Sequence, residues 1–276
     1  EEMVAAANQS DFGGVRVDRE VALSADGTRI GYEIRGEGPM VVIVNGAFST
    51  ARDVTEFAMA LVRAGFAAVA YDRRARGDSG DTKPSAPERE AEDLAAVIGA
   101  VGGDVSVIGH SSVAVFLLFA ASLGVPVRHL FLSEPPFRFG EHEPAGDLAE
   151  RLQQLVDEGD EATAVSTFQL EGVGLDPALV EQIKQSPIFP GLVPLAQSTV
   201  YDGQLVRQVS TPTAAMVGVQ APVTIVVGGD TFPFLASAAK RLSETLPGSE
   251  LVEVAESVGH RVHPEATAKV LAARLL

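Results

Sequence analysis

From Arg19 onward, two strand-like segments, Arg19–Ser24 and Arg29–Ile34, flank Asp26-Gly27, and in the second of them apolar and polar positions alternate with a period of two. Strand patterns on both sides of Asp-Gly are the signature of a β-hairpin. Met40–Val44 then runs without a polar residue, as expected of a strand buried on both faces. The period becomes helical over Asp53–Ala64, returns to strand at Ala67–Tyr71, and is helical again over Glu88–Ala100. Asp104–Ile108, His129–Leu132, Val223–Val227 and Glu250–Val254 read as further strands; Ser112–Leu123, Phe234–Leu246 and Pro264–Leu275 read as helices. Residues 1–17 show no apolar periodicity and are predicted to form a flexible tail.

Strands that alternate with helices after an opening hairpin predict an α/β fold: a mostly parallel, doubly wound sheet, here of eight strands. Ligands on such sheets sit beyond the carboxyl ends of the strands, so functional residues are expected there. One region breaks the alternation. Between 137 and 218 only helical segments are legible, near Asp147–Glu158, Glu161–Leu170 and Pro177–Lys184, and Pro187, Pro190 and Pro194 interrupt the chain after them. About 80 residues is too long for a plain connection. The predicted organisation is therefore a core of 18–136 and 219–276, with a helical cap, 137–218, inserted after the sixth strand.

Composition narrows the chemistry. The 276 residues, 46% of them hydrophobic, suffice for a full core. There is no cysteine, which excludes thiol nucleophiles, thiolate metal sites and disulfides. A net charge of −16, spread along the chain, argues against a nucleic-acid or anionic-membrane partner. Apolar runs such as Val113–Ala121 fall far short of the ~20 residues of a membrane span. The opening Glu1-Glu2-Met3-Val4 lacks the basic start of a signal peptide, so cytoplasmic residence is the default expectation. The five histidines are dispersed without His-x-His or His-Glu-x-x-His spacing, and neither a metal nor another cofactor is expected.

Gly109-His110-Ser111-Ser112-Val113 follows a buried strand and opens an apolar helix. A serine on a sharp strand-to-helix turn exposes its hydroxyl at a helix N-terminus, where the dipole favours developing negative charge. The plainer reading is a strand–helix junction with serine as an N-cap. Val113 stands where a second glycine is usual, and a β-branched residue there predicts a wider approach of helix to strand.

This pentapeptide, with Val44-Asn45-Gly46-Ala47-Phe48, Asp72-Arg73-Arg74-Ala75-Arg76-Gly77-Asp78-Ser79, Leu132-Ser133-Glu134-Pro135-Pro136, Val227-Gly228-Gly229-Asp230 and Gly259-His260, resembles the α/β-hydrolase superfamily, in its capped serine-hydrolase branch. The resemblance implies the chain order nucleophile, acid, histidine. It assigns Ser111 as nucleophile and His260 as base, with His263 in the same loop as the fallback. For the acid it leaves two candidates: Glu134, at the end of the sixth strand, and Asp230, after the seventh. It implies an oxyanion hole from the backbone amides of Ala47 and Ser112, and a substrate pocket around Asn45, Phe48, His110 and Phe137. The cap aromatics Phe137, Phe139, Phe168, Phe189 and Tyr201 suggest that this pocket is apolar. For the arginine-rich loop it implies pairing across loops; a phosphate-binding loop is the alternative.

The implied activity is hydrolysis of an ester or related acyl substrate, small and apolar to moderately polar, through an acyl-enzyme. Acyl transfer, C–C hydrolysis, a cofactor-free lyase step and a catalytically silent binding protein are the alternatives on the same scaffold. Oligomeric state is not legible in the sequence.

Overall fold

The computed structural model describes residues 14–276, so most of the predicted tail, residues 1–13, lies outside the described residues. Eight strands, β1 (Val17–Leu23), β2 (Arg29–Arg35), β3 (Met40–Val44), β4 (Ala67–Tyr71), β5 (Val105–His110), β6 (Leu130–Ser133), β7 (Val223–Asp230) and β8 (Glu250–Val258), form one sheet. Their order is β1-β2-β4-β3-β5-β6-β7-β8. β2 pairs antiparallel with both β1 and β4, and every pair from β4 to β8 is parallel. The eight-stranded, mostly parallel α/β fold predicted from periodicity is the one observed.

The sheet divides the core by simple alternation. On β3, Val42 and Val44 enter one hydrophobic cluster while Val41 and Ile43 enter another. Helices α2 (Pro87–Ala100), α3 (Ser112–Ser122) and α10 (Pro233–Thr245) contribute to the first cluster; α1 (Thr55–Arg63) and α11 (Pro264–Leu275) contribute to the second. Helix α3 is apolar along almost its whole length, and Val113–Ala120 are all buried. It is an interior helix, not a surface one. β1 begins two residues before the periodicity suggests, because Val17 is 3% exposed and pairs with Arg35, shortening the predicted tail.

Between β6 and β7 lie α4 (Leu148–Asp157), α5 (Glu161–Thr167), a π-helical turn Phe168–Val173, α6 (Pro177–Lys184), α7 (Phe189–Leu192), α8 (Ala196–Gln208) and α9 (Ala214–Val217). Leu148, Leu152, Val165, Phe168, Val200 and Tyr201 give this segment a core of its own. Helix α8 is not legible in the sequence. Ser198, Thr199 and Asp202 are buried within it, so no polar face repeats at helical spacing. No described helix is long and apolar enough to cross a membrane.

Candidate active site

The sheet order reverses direction at β3: the chain passes to β4 on one side and to β5 on the other. The crevice at such a switch point is where open α/β sheets bind ligands. Ser111 follows β5 at that crevice, and Ala47 lies in the loop that leaves β3. Glu134 follows β6 and His260 follows β8, so all three polar side chains stand at carboxyl ends of parallel strands.

Ser111 has φ 62° and ψ −136°, a conformation that non-glycine residues rarely adopt. Glu134 and His260 also have positive φ, 48° and 59°. Strain of this kind persists only where the surroundings hold it, and it clusters at functional sites. Here the hold is backbone hydrogen bonding. Ser111 N donates to Ser133 O (2.9 Å), Glu134 N to Val226 O (2.8 Å) and Gly259 N to Asp230 O (2.8 Å).

Ser111 Oγ lies 3.1 Å from His260 Nε2, and His260 Nδ1 donates to Glu134 Oε2 in a short hydrogen bond. The other carboxylate oxygen, Oε1, accepts the Gly228 amide (2.8 Å). Burial alone would raise the Glu134 carboxyl, but the bonds from His260 and Gly228 outweigh it and hold the group below the usual carboxylate range. A carboxylate facing Nδ1 leaves Nε2 free to accept the serine proton. Asp230, the other candidate acid, is exposed, and the interaction it makes with this loop is through its backbone carbonyl. His263 caps α11, its Nδ1 accepting from Ala266 N (3.2 Å), and does not approach Ser111.

The elbow is tighter than Val113 leads one to expect. A Cβ added at Gly109 would lie 3.1 Å from the Val113 carbonyl and 2.9 Å from Leu117 Cδ1. Helix and strand thus meet closely through the bare Gly109, while the Val113 side chain turns into the main core and is fully buried.

A cavity of about 590 Å³ opens over Ser111, Ser112 and His260. Its walls include Ala47 and Phe48 from the β3–α1 loop, Val115 from α3, Phe168 from the π-helical turn, and Phe232 and Phe234 from the start of α10. Phe232 and Phe234 are 53% and 61% exposed, giving the cavity an apolar rim. Of the four residues expected around the pocket, Phe48 alone is in its wall. Asn45 is buried beneath the loop with its amide donating to Tyr71 O (2.7 Å). Phe137 is 3% exposed within the main core. His110 faces the His260 loop instead: its Nε2–H donates to His260 O (3.1 Å) and its Nδ1 accepts from Ser133 Oγ (2.9 Å). Among the segment's aromatics, Phe168 reaches the cavity, whereas Phe189 and Tyr201 fill the segment's own core and Phe139 packs on Phe137. Val115, Leu205, Phe232 and Phe234 line the cavity without any local signal in the sequence. Only the crossing of separate elements brings them together.

Nitrogen and oxygen atoms of His110, Glu134 and His260 lie within 4.8 Å of one another, close enough to suggest a metal site. All four ring nitrogens are already engaged in hydrogen bonds, to Ser133, the His260 carbonyl, Glu134 and Ser111. Seating a cation would break at least two of them. The arginine-rich loop offers no phosphate cradle: Arg73 pairs with Glu90 and Asp202, Arg74 with Asp93 and Asp26, and Arg76 with Asp202, all three guanidinium groups being buried.

The sequence profile described as the alpha/beta hydrolase family matches residues 41–274, from β3 through α11. The chain belongs to that family. An alpha/beta hydrolase from Sphaerobacter thermophilus is 39% identical, superposes with a TM-score of 0.83, and covers 92% of this chain and 99% of its own. A hydrolase from Pseudomonas aeruginosa (19% identity, TM-score 0.70, covering 95% and 98%) and an enol-lactonase from Burkholderia xenovorans (18%, 0.67, covering 92% and 98%) share the fold. Comparison with curated proteins gave no match. In this alpha/beta hydrolase the helical segment between β6 and β7 roofs the cavity, and the strand ends supply its floor.

Proposed function

We propose that this alpha/beta hydrolase is a serine hydrolase that cleaves an ester or related acyl substrate through an acyl-enzyme. The observation that carries the reading is the continuous hydrogen-bonded chain from Ser111 Oγ through His260 to Glu134, open to a closed-in cavity at its serine end. A serine hydroxyl becomes a competent nucleophile when a base within reach takes its proton. His260 Nε2 is that base; Glu134 orients the ring and stabilises the imidazolium that forms.

Ser111 Oγ attacks the acyl carbon as its proton passes to Nε2. In this reading the amides of Ala47 and Ser112, two of the residues that line the cavity, receive the developing oxyanion. The imidazolium then protonates the leaving oxygen, and the acyl group remains on Ser111. Water, activated by the same nitrogen, releases the acid and restores the serine. A serine at the elbow lacks the carboxylate needed for epoxide or carbon–halogen opening. The apolar walls and the Phe232/Phe234 rim fit a small substrate with an apolar acyl or alcohol portion, bound without cofactor.

The test is labelling by a fluorophosphonate together with turnover of a panel of aryl and alkyl esters. The wild-type chain is expected to label at Ser111 and to hydrolyse short apolar esters, and Ser111→Ala to do neither. Undiminished labelling of Ser111→Ala would end the assignment of the nucleophile. Turnover of diketones in place of esters would move the reading to C–C hydrolysis, and tight binding of apolar ligands with neither labelling nor turnover would make the chain a binding protein.

A further inference from the structure

Two buried arginines lie behind the β3–α1 loop. Arg76 Nη1 donates to the Gly46 carbonyl and Arg73 Nη1 to the Asn45 carbonyl, each at 3.4 Å. Both guanidinium groups converge on one oxygen of Asp202, in α8, at 2.8 Å from Arg73 and 3.2 Å from Arg76. Arg73 has a second carboxylate to itself, with Glu90 accepting from Nε (2.8 Å) and Nη2 (2.9 Å). Arg76 has only a share of Asp202. Its Nη1 is given to the backbone of the loop, at the Gly46 carbonyl.

A trans peptide is planar, with its C=O and N–H pointing in opposite directions. The Gly46 carbonyl is turned toward Arg76, so the N–H of Ala47, in the same peptide, is turned directly away from it. Ala47 itself is among the residues that line the cavity, with Ser111 and Ser112. The loop lies across the elbow, since a Cβ on Gly46 would stand 3.8 Å from the His110 carbonyl. A cation bonded to a carbonyl also withdraws charge from the peptide and strengthens its N–H as a donor, the more so where water is excluded.

We propose that Arg76, held by Asp202, is a positioning residue for the oxyanion hole: it orients and polarises the Gly46–Ala47 peptide so that the Ala47 amide meets the developing oxyanion. Because Asp202 belongs to the helical segment that roofs the cavity, docking of that segment and completion of the oxyanion hole are one event. The inference rests on the serine-hydrolase reading of this site.

Arg76→Gln keeps a donor but removes the charge, Arg76→Met removes both, and Asp202→Asn loosens the hold on Arg76. Each is compared with the wild-type full chain for p-nitrophenyl ester turnover and for inhibition by a trifluoromethyl ketone, whose serine adduct carries an oxyanion. Loss of a whole oxyanion donor costs about 10²–10³ in kcat. Arg76→Met is expected to lose about a hundredfold in kcat, and Arg76→Gln and Asp202→Asn about tenfold, with KM nearly constant. The ketone's inhibition constant should rise by the factor by which kcat/KM falls, because both report oxyanion binding. A merely structural role would lower the melting temperature and leave kcat and ketone affinity per folded molecule unchanged, and that result would overturn the inference. Should Arg76→Met fail to fold, the two milder variants decide the matter. A wild-type chain that neither labels nor turns over would instead remove the serine-hydrolase reading itself.

Discussion

Glu134 ties the last loop of the chain to the middle of the sheet: one carboxylate oxygen accepts His260 Nδ1–H and the other accepts the Gly228 amide at 2.8 Å. The side chain is 3% exposed, yet both oxygens are satisfied, so the charge is tolerated in the interior. Glu134→Gln should reduce kcat by about 10²–10⁴, because an amide cannot hold the imidazole in the tautomer that accepts the serine proton. Asp230→Asn, at an exposed position, should leave kcat within a factor of about two. Ester turnover of the two variants side by side checks both, and the opposite ranking would return the acid to Asp230.

Gly228 is the silent partner of that carboxylate. A Cβ there would stand 2.9 Å from Glu134 Oε1 and 2.7 Å from the Ser257 carbonyl. Neither neighbour is a flexible side-chain end free to leave. Gly228→Ala is expected to cost about 1–3 kcal/mol in stability and to displace the carboxylate. Urea denaturation gives the first effect, and a kcat loss of at least about tenfold gives the second.

His110 should make stability pH-dependent. Burial pushes its imidazole down to about 4, with the neighbouring His260 as a second cause. Below the ordinary histidine value of about 6.5 the unfolded chain binds a proton at this position that the folded chain refuses until about pH 4. Stability from this group is therefore complete above about pH 6.5 and falls progressively as pH drops toward 4, by a total on the order of 3 kcal/mol. His110→Gln, which can still donate to the His260 carbonyl, should flatten that part of the profile. Urea midpoints at pH 7 and pH 4.5 measure it, and an unchanged slope in the variant would refute the assignment.

Val113 packs in the core rather than spacing the elbow. Replacing it with the family's more usual glycine should not improve catalysis. Val113→Gly removes a fully buried side chain and places glycine near the start of a helix, at a combined cost of about 3 kcal/mol. Thermal denaturation should show the loss, with ester turnover per folded molecule no higher than in the wild type.

How far the sequence carries can be seen element by element. All eight strands and the helices flanking the sheet are legible because each is a local pattern: alternation in β2, unbroken apolar runs in β3 and β4, short strand-like apolar stretches in the others, and helical spacing in α1, α2, α10 and α11. Helix α8 is not legible, because a helix buried on several sides carries no repeating polar face, and nothing local marks Asp202. The strand–turn–helix around Ser111 is compatible with a nucleophile or an N-cap, and the resemblance to the hydrolase family, through its chain order, is what singles out Ser111 and His260.

Choosing between Glu134 and Asp230 lay beyond any local pattern. They stand at the ends of adjacent parallel strands, and irregular chain follows both. What separates them is the direction of each side chain from the sheet. Glu134, at φ 48°, turns inward to the Gly228 amide and to His260. Asp230 lies past the irregularity between Gly228 and Asp230 in β7 and faces solvent. The cavity wall is the same kind of fact: Val115, Phe168, Leu205 and Phe232 are far apart in the chain and meet only where α3, the π-helical turn, α8 and α10 cross. Local periodicity thus determined the elements and their order. Only tertiary packing, which sets strand register and side-chain direction, decided which carboxylate faces the histidine and which apolar residues face the serine.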